Sequence, residues 1–112
     1  MYVCDAGEVA IVPFPFSDMA LAKPRPALAL SARVENEASG NTVFAMITTA
    51  AKSHWPQDVV LRDGARAGLK TESIVRIKLF TLDNRLVSRK IGALSLRDRQ
   101  AVRKMLRSVM AV

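Results

Sequence analysis

One cysteine, Cys4, and one histidine, His54, are all that the 112 residues offer of either type. A lone cysteine excludes an internal disulfide framework, and with a single histidine it leaves no Cys/His set able to hold zinc. Such a chain suits a reducing compartment. No apolar run approaches the ~20 residues that span a bilayer, and the N-terminus has neither the basic stretch nor the apolar core of a secretory signal. The expectation is a soluble cytoplasmic protein. Internal repeats, low-complexity tracts and linker-like segments are missing too, so nothing divides the chain.

What remains is an ordinary globular balance, 50% apolar and 24% charged, in a length that buries one modest core. A single domain over residues 1–112 is expected. The net charge of +7 is uneven. Residues 1–61 hold four Lys/Arg against six Asp/Glu, whereas residues 62–112 hold thirteen against four, so the halves carry −2 and +9. A strongly basic half implies an anionic partner, either a phosphate backbone or an acidic protein segment.

Short β-branched runs set the organisation. Residues 8–14 read as a strand closed by Pro13 and Pro15, and residues 26–31 as a second strand with proline at its first position. Residues 35–41 read as a polar turn. The run 42–49 is too apolar to alternate cleanly, which marks a central strand covered on both faces. Residues 58–61 and 73–79 add two strands, and 86–94 a shorter one. In 73–79, period-two alternation sets Ile74, Arg76 and Lys78 on one face and Val75, Ile77 and Leu79 on the other. Strands this closely spaced point to a small barrel, not to βαβ crossovers. Ser95-Leu96-Arg97-Asp98 is a capping-box signal for a terminal helix. Its apolar stripe, Val102, Met105, Leu106 and Val109, is expected to pack on the barrel.

The segments Gly7 to Phe16, Lys23-Pro24-Arg25-Pro26-Ala27-Leu28-Ala29-Leu30-Ser31, Ala45-Met46-Ile47-Thr48-Thr49, Ser73-Ile74-Val75-Arg76 and Thr81-Leu82-Asp83 resemble, in order, PemK-like toxins of the MazF family. The resemblance covers nearly the whole chain. It implies a mainly β, SH3-like barrel of the CcdB/Kid/MazF type with a C-terminal α-helix. It also implies a homodimer that cleaves single-stranded RNA, such as mRNA, at short sequences without metal or cofactor. An antitoxin whose acidic tail occupies the RNA groove would restrain it. Carried over by position, the catalytic pair is Arg25 and Thr48, with Thr49 as the alternative if the register slips by one. Lys23, Thr49, Lys52, His54, Arg76 and Lys78 are the candidate RNA contacts. The chain departs from the pattern at Lys78, where some members carry an acid, and in the first long loop, where Ser17 and Asp18 stand in place of a histidine used by some members.

These residue types suit the chemistry. Attack by a neighbouring 2′-OH passes through a dianionic phosphorane-like state, for which electrostatic stabilisation carries most of the burden. A guanidinium stays charged and grips two phosphate oxygens with its planar fork. Pro24 and Pro26 restrict the backbone around Arg25 and so preorganise it. Thr48 can donate one hydroxyl hydrogen bond. His54 and Trp55 can stack on a splayed base, and Arg76 with Lys78 can contact phosphates. Base selection is expected to rest on the loops at 17–24 and 52–56. Cys4, near a terminus expected to be mobile, is assigned no chemistry. Two other readings fit the composition: a gyrase-binding toxin of the CcdB kind, and a non-catalytic RNA-binding barrel.

Overall fold

Proline spacing at the start of the chain shapes the sheet. The structure, a computed structural model, describes residues 1–14, 23–50 and 54–112. Strand β1 (Glu8–Pro13) pairs antiparallel along its length with β2 (Pro24–Ala29), from Val9 opposite Leu28 to Pro13 opposite Pro24. On its other edge β2 pairs with β3 (Asn41–Thr49) only from Ala27 onward, with Ala27 opposite Met46. Pro26 has no N–H to donate, so the β2–β3 ladder stops there and the strands part beside Arg25.

The remaining strands are β4 (Val59–Val60), β5 (Ser73–Asp83) and β6 (Arg89–Ala93). Together they form one six-stranded antiparallel sheet in the order β4-β5-β3-β2-β1-β6. The sheet curls until β6 meets the 3-10 turn Gly64–Ala67 that links β4 to β5. Two glycines permit this contact. A Cβ on Gly68, whose φ is +78°, would strike the Ile91 carbonyl, and one on Gly92 would strike the backbone of Arg66 and Ala67. This is the barrel expected from the strand spacing.

The sheet has two apolar faces. Val9, Leu28, Ala45, Ile47 and Val75 pack with Val102 and Met105 of the terminal helix. Cys4, Ala10, Val12, Ala27, Ala29, Phe44 and Phe80 pack on the opposite side. The Phe44 and Phe80 rings stack with centroids 5.7 Å apart.

Two sequence expectations change. Residues 35–41 are not merely a turn: Arg33–Ser39 form a helix, α1. Its anchor is Asn36, fully buried, whose amide donates to the carbonyls of Cys4 (2.9 Å) and Ser31 (3.0 Å). The chain start is therefore tied into the fold, and Cys4 is buried. Burial pushes its thiol up to about 11, aided by the nearby Glu8 charge. Alternation within β5 holds as expected, with Val75, Ile77 and Leu79 all on the helix-side core, but its ladder with β3 is interrupted. Leu79 stands opposite Ala45 but Arg76 opposite Met46, so Ile77 and Lys78 form a bulge. The two extra residues preserve parity, so Lys78 keeps the face of Arg76 but has no partner on β3.

The second change concerns the terminal helix α2 (Leu96–Val109), which begins at Ser95 as expected, with its hydroxyl accepting from the Asp98 N–H at 3.2 Å. The Asp98 carboxylate does not fold back to complete a capping box. It is buried and accepts from the backbone N–H groups of Arg62 (2.9 Å) and Asp63 (2.8 Å), pinning the β4 exit to the helix. No described helix is long and apolar enough to cross a membrane.

Candidate functional site

Where β2 and β3 part, a cleft of about 340 Å³ opens, lined by Arg25 and Pro26 of β2, Ile47, Thr48 and Thr49 of β3, and Arg89 of β6. Lys70, Thr71 and Ser73 line it from the segment leading into β5. Ile11, Leu69 and Ile91 supply apolar lining. Its three cations, Arg25, Lys70 and Arg89, are exposed and make no ion pair among the described residues. No carboxylate or imidazole lines it among those residues.

Strand register sets the two threonines on opposite faces of β3, although both border the cleft. Ile47 and Val75 face the helix-side core, so Thr48, opposite Ile74, lies on the other face with Met46. Met46 stands opposite Ala27, and Arg25 is two residues before Ala27 on the same face. The ladder ends before Arg25, so it is parity and not pairing that sets Arg25 and Thr48 on one face, both bordering the cleft. Thr49, opposite Ser73, has the parity of Ile47 and so turns the other way. Thr48 is half-buried and Thr49 exposed.

The other sequence candidates are dispersed. Lys23 is exposed just ahead of β2, where its carbonyl accepts from the Phe14 N–H. Lys52, Ser17 and Asp18 lie outside the described residues. His54 is exposed beside Trp55.

Arg76 needs correction. It was expected on an open face, but its side chain is only 7% exposed and that of Asp58 6%. Its Nε donates to Asp58 Oδ1 at 3.0 Å and its Nη2 to Oδ2 at 2.8 Å. Continuing the β4–β5 register by one residue sets Asp58 opposite Arg76, which is why the fork meets the carboxylate squarely. Arg76 thereby holds the Asp58 carboxyl below the ordinary carboxylate range against the opposing effect of burial, and its own pKa is raised in turn. The guanidinium also lies 5.0 Å from the centre of the Trp55 ring. Its charge is answered inside the protein, so the physical basis for reading it as a solvent-facing phosphate contact is gone.

The sequence reading missed Lys70, Thr71, Ser73 and Arg89. They are far from Arg25 along the chain and reach it only through the curl of the sheet. The signals available were general ones: the basic second half and the glycines at the closure.

Comparison with known proteins places this geometry. The PemK-like, MazF-like toxin family of type II toxin–antitoxin systems matches residues 5–110, and the chain belongs to it. Among solved structures it is similar to MazF from Deinococcus radiodurans (26% identity, all of both chains, TM-score 0.77). It is also similar to MazF in a MazE–MazF complex from the same organism (26% identity, 99% of each chain, TM-score 0.78). The fold is shared with the Mycobacterium tuberculosis toxin MazF-mt6 (23% identity, 94% of this chain and 97% of that one, TM-score 0.75). No curated protein matches the chain.

Proposed function

We propose that this toxin is a metal-independent, sequence-specific endoribonuclease that cuts single-stranded RNA by attack of a 2′-OH on the adjoining phosphate. The carrying observation is Arg25, without an ion-pair partner among the described residues, on the same sheet face as Thr48 at a cleft with three cations and no described carboxylate. In the reaction the 2′-oxygen bonds to phosphorus and the 5′-oxygen departs. The 2′-OH gives up its proton, the leaving oxygen takes one, and a cyclic phosphate remains. Arg25 binds the non-bridging oxygens as their charge grows, and the Thr48 hydroxyl donates to one of them. Lys70 and Arg89 draw in the flanking phosphates. A guanidinium keeps its charge and gives up a proton reluctantly, so Arg25 serves as an electrostatic stabiliser before it serves as an acid.

The family and the MazE–MazF complexes of its relative support an antitoxin partner. An acidic segment competes for the cleft by presenting carboxylates where RNA presents phosphates, so its affinity falls with salt. Val60 and Leu86, 52% and 50% exposed, leave apolar surface for a homodimer to cover. Sedimentation at tens of micromolar, an order-of-magnitude concentration for reversible association, should show a dimer; a monomer throughout would refute that assignment. For the activity, the experiment is incubation with a long single-stranded RNA in EDTA. Cleavage is expected. Tight binding without cleavage would favour the non-catalytic barrel, and neither binding nor cleavage would favour a toxin acting on a protein.

A further inference from the structure

We propose that Trp55 is a nucleobase-stacking site beside the reactive phosphate, and that the buried Arg76–Asp58 pair is the clamp that builds it. The inference rests on the cleft being an RNA site, and it assigns Arg76 a positioning role.

Three observations converge. Trp55 is 40% exposed although its ring lies against the Arg76 guanidinium at 5.0 Å. Both its backbone groups are tied to one residue: its N–H donates to Asp58 Oδ2 at 2.8 Å, and its carbonyl accepts from the Asp58 N–H at 3.0 Å. Asp58 is itself fixed by the two bonds from Arg76. An indole held this way has lost its freedom before any ligand arrives, so little further entropy is spent on stacking.

The clamp also lies in the right place. Arg76 stands opposite Met46, and Thr48 is two residues further along β3 on the same face. One strand across and two residues along is a backbone separation of about 8 Å. Trp55 is thus carried on the face that presents Thr48 and Arg25. A nucleotide next to the scissile phosphate is the partner that combines a flat ring for Trp55 with phosphates for Arg25, Lys70 and Arg89. A second copy of this chain covering Trp55 is the competing occupant.

Trp55 is the sole tryptophan, so its emission reports the site directly. The probe is a randomised single-stranded oligonucleotide with 2′-O-methyl riboses, which lack the nucleophile, longer than the ~4–16 nucleotides such sites span. An abasic strand of equal length and charge is the control. Titrating the intact protein with the base-bearing strand should quench Trp55 emission, while the abasic strand should bind without quenching.

Trp55→Ala, which leaves the Arg76–Asp58 pair in place, should weaken binding of the base-bearing strand roughly 5- to 150-fold with an unchanged salt slope. Trp55→Phe should restore most of it. Asp58→Asn, checked by melting to be folded, should lose the quench while Arg25-dependent phosphate binding persists. Intact binding with no quench and no effect of Trp55→Ala would overturn stacking while leaving the ribonuclease reading standing. No binding of either strand would overturn both. Emission that changes with protein concentration alone and not with added strand would assign Trp55 to contact between copies.

Discussion

Removing Arg76 should damage the fold more than it damages RNA binding. Its guanidinium and the Asp58 carboxylate are 7% and 6% exposed and joined by two hydrogen bonds. Taking away one partner of a buried pair strands the other charge out of water, at a cost of about 3–5 kcal/mol. That is a large share of the ~5–15 kcal/mol that holds a domain together. At this chain length it corresponds to a fall in Tm on the order of 10–20 °C. Arg76→Ala and Asp58→Ala should each show it in circular dichroism melts.

The double replacement Arg76→Met with Asp58→Leu should recover much of the loss, because two apolar side chains leave no charge behind. Were Arg76 instead a phosphate contact, Arg76→Ala would melt normally and lower the salt slope of RNA binding by about one. A normal melt would refute the buried-clamp reasoning.

Acid should reach the same pair. Arg76 holds the Asp58 carboxyl below its ordinary value, so its stabilisation is complete above about pH 4 and is lost as pH falls through the depressed value. Denaturant melts at stepped pH should show this acid-side loss, and Asp58→Asn should flatten it; an unchanged profile would contradict the pairing. Thr48→Val should slow cleavage on the order of tenfold or more, while Thr49→Val, turned to the other face, should leave the rate near wild type; equal losses would mean that register does not select the hydroxyl. Gly68→Ala should destabilise the barrel by more than the ~1 kcal/mol of an ordinary glycine replacement, since its φ is +78° and its Cβ would meet the Ile91 carbonyl; a neutral melt would show that the closure yields.

Strand identity was legible wherever local chemistry and packing agree. The runs at 8–14, 42–49 and 73–79 are β-branched and apolar because they fill the two sheet faces, and Ser95 caps its helix through a contact only three residues long. The pair Arg25 and Thr48 rests on family resemblance, and the register adds that Thr48 and Thr49 take opposite faces.

What escaped depended on distant partners. Helix α1 is held by Asn36 reaching Cys4, 32 residues away, and by the Asn84 amide donating to its carbonyl at 2.8 Å. Nothing within residues 35–41 announces either bond. Arg76 read as a surface cation because alternation reports which face a residue takes, not whether an acid covers it there. The bulge at Ile77 and Lys78 shows only once β3 is laid beside β5. Lys70 and Arg89 join the cleft through the approach of Gly68 and Gly92 to the backbone across the closure.

The most direct test of the ribonuclease assignment is single-turnover cleavage of one long single-stranded RNA in EDTA by wild type, Arg25→Ala and Arg25→Lys, with melts run alongside. Arg25 makes no ion pair among the described residues, so Arg25→Ala should keep its Tm and lose about 10²- to 10³-fold in rate. Arg25→Lys should remain poor because an ammonium lacks the bidentate fork. Full activity in a well-folded Arg25→Ala protein would contradict the catalytic assignment.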